Sequence, residues 1–350
     1  MDLFTPCVPA DRLHPNFKHV AFEAAAEDRA VLNAWADGFV DRDGKFVVEF
    51  QTTFNSSFWE LYLFAVLKEL RQNVDMSVSA PDFSVIGPPW DFGLEATIAS
   101  HAAGARPEWS ATARDLLDLK DRSPIVLEAT IRLANSLTSK YKKYREEYAR
   151  LDHVRRRPFV LAVAPFEQPL GRVQNTQAIM QTLYGATATP YEVVSGEGED
   201  EWVLTGGEFI PIPFVTKATG AEIPLGLFRN RRMQGVSAVV FSSTATWGKV
   251  RALSGDPNPD VYFEFLRANS HGPQPTHGIM SKAKYEETLL DGLCVFHNPD
   301  ATYPLAWKVF QAPRVTQVTW SSGHQEPFVE SEHGVLLQRT VITTRKDPTS

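Results

Sequence analysis

Phe159, Val160, Leu161, Ala162, Val163 and Ala164 form an unbroken apolar run between Pro158 and Pro165. A run of this length without alternation is the pattern of a β-strand covered on both faces, because a strand with one wet face shows polar residues at every second position. Such a strand needs one layer above it and another below. The stretch FNSSFWELYLFAVLKELRQ, residues 54–72, supplies a candidate layer. Its spacing predicts a helix apolar almost all round over its first three turns, and a helix of that kind is buried. Together the two segments predict an α/β architecture with helices packed on a sheet.

The remaining elements follow from turn signals and periodicity. Residues 23–37 read as a helix ended by Gly38, and Lys45 to Phe50 as a short strand after Asp43-Gly44. Residues 82–86 and 91–98 read as two strands around Gly87-Pro88-Pro89-Trp90. A long amphipathic helix over 124–150 carries Leu127, Ile131, Ala134, Leu137, Tyr141, Tyr144 and Tyr148 at helical spacing. Residues 174–184 add a helix stopped by Gly185. Beyond it an acidic loop, 196–201, leads into strand-like runs at 201–205, 225–228, 236–243, 293–296, 315–320 and 335–343. The expected fold is a mixed central sheet flanked by helices with a β-rich C-terminal extension. A soft boundary near 185 divides it into 1–185 and 186–350. The run 236–243 is apolar enough to join the main sheet, which makes the second half an elaboration of the first, and 346–350 read as a frayed tail.

Composition removes several classes of function. The chain has 350 residues, 43% hydrophobic and 22% charged, which is ordinary for a globular protein. It has no apolar stretch of membrane-spanning length and no basic, apolar start of a signal peptide. Cys7 and Cys294 stand far apart, which fits a reducing compartment, the cytoplasm, and argues against a disulfide frame or a zinc–cysteine site. The formal charge of −7 opposes bulk coating of nucleic acid but allows a local basic surface. Lys140 with Lys142, Lys143 and Arg145, then Arg155 to Arg157, and Arg229 with Arg231 and Arg232 are the clusters that could form one; each is equally readable as a solvated face. The phosphate-binding loop, dinucleotide, zincin and hydrolase-elbow motifs are all missing. His297-Asn298-Pro299 lacks a second histidine at ligand spacing and reads as a turn.

The informative segment is PDFSVIGPPWDFGLEATIAS, residues 81–100. Asp91, Gly93, Glu95 and Thr97 alternate with Phe92, Leu94, Ala96 and Ile98. If residues 87–90 form a hairpin loop, 86 closes against 91 and Asp82 lies directly opposite Glu95. Opposed side chains have Cβ atoms roughly 4.5–5.5 Å apart, and like charges there repel. Either the face is solvated, or a divalent cation such as Mg²⁺ sits between the carboxylates. Glu60 is the only charged residue between Glu49 and Lys68, flanked by Phe58, Trp59, Leu61 and Tyr62, and a buried carboxylate needs a partner. Two roles are open to it: a capping box with Ser57, or a metal ligand.

A carboxylate on a first helix, Pro-Asp opening one strand, an acidic residue two places before the motif's final position on the next, then a helix and a buried strand: in this layout the chain resembles the PD-(D/E)XK nuclease superfamily. FWELYL, PDF, the lysine-rich helix and DGLCVFHNP at 291–299 are similar to bacterial proteins assigned to it. The resemblance covers roughly 45–170. It implies a restriction-endonuclease-like core and a Mg²⁺- (or Mn²⁺-) dependent endonuclease or phosphodiesterase. Asp82 and Glu95, assisted by Glu60, are then the metal ligands, and nucleic acid, DNA ahead of RNA, is the substrate. It also suggests a role in host defence or on a mobile element, as a homodimer or with an operon partner. Thr97 stands where the superfamily has lysine, and a hydroxyl cannot supply positive charge. Lys140, at the flank of the apolar stripe of 124–150, is the expected replacement, ahead of Lys143 and Arg132. Gln168, after the buried strand, is a further candidate contact. Two rival expectations stand beside this one: a nuclease-fold protein that binds nucleic acid or a partner without cleaving, and an unrelated metal-dependent hydrolase using the same carboxylates.

Overall fold

The computed structural model describes residues 1–344 except 88–89, 102–103, 190–191, 196–201, 206, 270–273 and 322. The acidic loop, the C-terminal tail and the Pro88-Pro89 pair therefore lie outside the described residues. Eight strands form one mixed sheet in which each strand lies beside its predecessor. They are β1 (Val74–Asp75), β2 (Phe83–Val85), β3 (Phe92–Ile98), β4 (Phe159–Ala164), β5 (Ala238–Phe241), β6 (Leu293–His297), β7 (Val315–Thr319) and β8 (Phe328–Glu330). β1, β2 and β3 are antiparallel, and β3, β4 and β5 run parallel. β6 reverses against β5, β7 is parallel to β6, and β8 is antiparallel to β7.

The principal helices are α1 (Ala26–Ala36), α2 (Phe46–Thr52), α3 (Phe54–Glu69), α4 (Ser123–Glu146), α5 (Gln177–Tyr184) and α6 (Trp247–Leu253). β4 sits at the centre, all its residues fully buried, as its unbroken apolar run requires. Val160, Ala162 and Ala164 pack with α3 on one face, and Phe159, Leu161 and Val163 pack with α4 and α5 on the other. Trp59 of α3 donates its indole N–H to the Ala162 carbonyl at 3.1 Å, so the buried ring leaves no orphan donor. Among the described residues, no helix is long and apolar enough to cross a membrane.

Two expectations fail. Residues 45–50 are not a strand: Phe46 to Thr52 are helical, with Glu49 N–H donating to the Lys45 carbonyl at 2.9 Å. Phe46, Phe50, Phe54 and Phe58 recur every four residues with all four rings buried, and this helical spacing overrides the β-favouring Val47 and Val48. Residues 225–228 are not a strand either. Gly226 turns the chain at φ +73°, and the N–H groups of Gly226, Leu227 and Phe228 donate to the Thr182 and Leu183 carbonyls at the end of α5. These are carbonyls a helix C-terminus cannot satisfy itself. The second half also carries three short two-stranded pairs and a three-stranded sheet of Thr276–Ser281, Val261–Arg267 and Leu336–Thr343.

Candidate active site

Phe83 pairs with Leu94, Ser84 with Gly93 and Val85 with Phe92, the register that a loop over 87–90 implies. The ladder begins at Phe83, so Asp82 stands one residue outside it. Gly93 and Ala99 direct their N–H groups to the β4 side, so by alternation the Ala96 N–H points the other way, past the end of β2. Asp82 Oδ2 takes that N–H at 2.7 Å. Its carboxylate thus lies at the open end of the hairpin, beside Glu95. Pro81 is held close by the bare Gly93, where a Cβ would come within 3.1 Å of the proline ring.

Phe92, Leu94 and Ala96 face α3, and the alternate residues Glu95 and Thr97 face α4. Glu95 is 2% exposed. Lys140 Nζ lies 2.7 Å from its Oε1, the Tyr148 hydroxyl donates to the same oxygen at 3.1 Å, and Lys143 Nζ stands 3.7 Å away. Burial and then the Glu95 charge push the Tyr148 hydroxyl upward, so it stays a donor. Thr97 Oγ1 shares a hydrogen bond with Ser136 Oγ at 3.1 Å. Ser136 and Lys140 are one helical turn apart on α4, so consecutive turns of the helix meet Thr97 and Glu95 in order. This is why a lysine from α4 reaches the carboxylate while Thr97 stays committed to the helix.

Glu60 does not form the capping box. α3 begins at Phe54, which puts Ser57 inside the helix and Glu60 in its second turn. Its side chain instead lines a cavity of about 210 Å³ shared with Asp82, Glu49 and Arg42. Burial, then the charges of Asp82, Glu49 and Glu95, push the Glu60 carboxyl up to about 8. Burial and the Glu95 charge push Asp82 up to about 6, opposed by Lys140. The three carboxylates therefore interact, in two parts: Glu60 with Asp82 across the cavity, and Glu95 with Lys140 on the α4 side.

Among the described residues, no three His, Cys, Asp or Glu side chains are disposed to hold a metal ion together. The donor set still fits a hydrated Mg²⁺ or Mn²⁺, which is held through one or two carboxylates and keeps several waters. Glu95 receives its contacts on Oε1 and Asp82 its N–H on Oδ2, so each carboxylate keeps a second oxygen outside these bonds. No family model, curated protein or solved structure matches the chain. What the site can do rests on its own geometry.

Other candidates lie elsewhere. Gln168 donates to the Ile125 carbonyl at 2.8 Å and lines a different cavity. Arg132 pairs with Glu128 at 2.5 Å. His297 is the buried last residue of β6, bonded to Gln317 at 2.9 Å and stacked on Trp307, and the turn expected there follows it, closed by the Ala301 N–H on the Asn298 carbonyl at 3.2 Å. Arg42, Glu49 and Tyr148 were missed. Glu49 was hidden by the strand expected at 45–50 and Tyr148 by its place on the apolar stripe; no sequence signal marked Arg42.

Proposed function

We propose that the chain is a divalent-metal-dependent nuclease of the PD-(D/E)XK type, acting in the cytoplasm on phosphodiester bonds of nucleic acid, DNA ahead of RNA. The observation that carries this reading is the Lys140 ammonium 2.7 Å from Glu95, on the strand beside Asp82. It puts a preorganised positive charge where the superfamily pattern leaves only Thr97. The sequence of helix acid, antiparallel hairpin, helix and parallel strand supports the same restriction-endonuclease-like core.

Asp82 and Glu95 would hold Mg²⁺ or Mn²⁺, with Glu60 behind Asp82. When bound, such an ion polarises the phosphate and lowers the pKa of water. The chain's own groups do the rest. Tyr148 and Lys140 fix the Glu95 carboxylate, Asp82 is fixed by the Ala96 N–H, and Lys140 is placed to balance charge that develops on a phosphate oxygen. Host defence or a mobile element is the setting proposed with this activity, with a second copy or an operon partner alongside.

A second reading is favoured by the same contact: Lys140 neutralises Glu95 as a metal would, and among the described residues no three-residue metal group is preformed. In that reading the fold binds nucleic acid or a protein without cleaving. Cleavage of plasmid, single-stranded DNA and RNA in Mn²⁺, with wild type and Lys140→Met, separates the two. The nuclease reading expects turnover to fall by roughly two to three powers of ten with substrate affinity nearly intact. Wild-type turnover in Lys140→Met sinks the catalytic role of this lysine, and no cleavage of any polymer leaves the binding reading.

A further inference from the structure

Beyond the acidic cluster, a cavity of about 280 Å³ opens past the carboxyl ends of β4 and β5. These two strands are adjacent and parallel. The chain leaving β4 goes to α5, on the face of Phe159, Leu161 and Val163, and the chain leaving β5 goes to α6, on the face of Val160 and Ala162. Loops that part to opposite faces leave a crevice between them, and this switch point is where open α/β sheets bind ligands. Pro165, Phe166 and Arg172 come from the first loop and Ser243, Thr246 and Trp247 from the second. No residue lining this cavity lines the one beside Glu60 and Asp82.

Its polar groups are built for a partner. Asn55, 6% exposed, donates to Glu108 Oε1 at 2.5 Å, and Asn16 donates to the same oxygen at 3.1 Å. The second oxygen, Glu108 Oε2, is enclosed with no hydrogen-bond partner among the described residues, and so are Gln168 Oε1 and Arg172 Nε. No carboxylate stands within ion-pair distance of Arg172 among the described residues; burial and then the nearby Arg339 charge pull its pKa down, opposed by the Glu264 charge. An unpaired, partly buried guanidinium is costly, and a phosphate or carboxylate that accepts two of its N–H groups satisfies it best. Burial pushes the Glu108 carboxyl up, and two acceptors without partners favour a guest that brings donor hydrogens. The walls between them are aromatic. At about 280 Å³ the space is at the small end of ligand pockets, which run from about 300 to 1,000 Å³.

We propose that this cavity binds a mononucleotide whose base carries an exocyclic amino group, with the phosphate on Arg172, the amino hydrogens on Glu108 and Gln168, and the base against Phe166 and Trp247. Amino hydrogens and phosphate oxygens on a flat apolar body are the complement of what these residues leave unpaired. The proposal does not depend on the nuclease reading.

Calorimetric titration of the full chain with AMP in EDTA tests it, because the chelator removes any metal route to the acidic cluster. AMP should bind saturably, with inosine monophosphate, which lacks the amino group, and adenosine, which lacks the phosphate, each weaker by about tenfold or more. Arg172→Met should erase the advantage of AMP over adenosine, and Glu108→Gln should shrink its advantage over inosine monophosphate. Quenching of Trp109 and Trp247 fluorescence, two of the lining residues, gives a second readout. The absence of saturable AMP binding to wild type at millimolar ligand overturns the proposal. So does equal affinity for AMP and adenosine, or AMP binding that Asp82→Asn abolishes and Arg172→Met leaves unchanged.

Discussion

In the metal-free chain the Glu60 carboxyl, ordinarily near 4.5, is pushed up to about 8 by burial and by its acidic neighbours. The folded state therefore holds this proton more tightly than the unfolded one. Stability linked to Glu60 is fully present below the ordinary value and is lost as pH rises through about 8. Near neutrality the site then carries the Lys140–Glu95 pair and a Glu60 that keeps its proton. Glu60→Gln preserves shape and removes the titration. In EDTA the variant should melt like wild type near pH 5 and be more stable by at least about 1 kcal/mol at pH 9. Equal stability of the two proteins across that range would return Glu60 to an ordinary solvated carboxylate.

At the scale of elements, glycines show where the backbone rather than the side chains decides the path. Gly292, opening β6 with φ +76°, would place a Cβ 2.0 Å from Thr244 Oγ1 and 3.1 Å from the Leu336 carbonyl. Gly44 has a similar φ, +72°, but nothing within 4 Å. Gly44→Ala should cost about 1–2 kcal/mol for conformation alone, and Gly292→Ala about 2–4 kcal/mol, since a clash is added. Urea unfolding of the two variants checks the difference; equal losses would mean that Thr244 yields freely. These elements also explain what could be read in advance. The hairpin register was legible because a four-residue loop between alternating strands leaves one pairing. β4 was legible because only a strand covered on both faces is apolar throughout. The helix at 46–52 was not, because Phe46, Val48 and Phe50 also alternate at the strand period, and the helical spacing shows only when Phe54 and Phe58 are counted with them. Asp82's bond to the Ala96 N–H was hidden as well, since it depends on where the β2 ladder stops.

Across the whole molecule, a buried ionic cluster fastens the three-stranded sheet to the main one. Lys249 of α6 is fully buried, with Nζ 2.5 Å from Glu287 Oε1 and the Thr288 and Asp291 carbonyls accepting at 2.9 and 2.7 Å. Arg339, on the strand Leu336–Thr343, places Nη1 2.7 Å from the same Glu287 oxygen and donates to the Thr244 carbonyl at 2.7 Å. Tyr285 holds the other Glu287 oxygen at 2.8 Å, and Asp291 pairs with Arg267 at 2.6 Å. Glu287 thus neutralises two cations, one from α6 and one from the three-stranded sheet. Removing one partner of a buried pair costs far more than the pair contributes, because the orphaned charge keeps its desolvation penalty. Glu287→Gln orphans two cations, whereas Lys249→Met leaves Glu287 with Arg339 and Tyr285. Urea unfolding should therefore show a loss of about 3–5 kcal/mol for Glu287→Gln and a smaller one for Lys249→Met. Limited proteolysis of Glu287→Gln should cut first within 261–267, 276–281 and 336–343, the three-stranded sheet that Arg267 and Arg339 anchor. A Glu287→Gln protein as stable as Lys249→Met, with an unchanged cleavage pattern, would show that the two sheets are held by apolar packing alone.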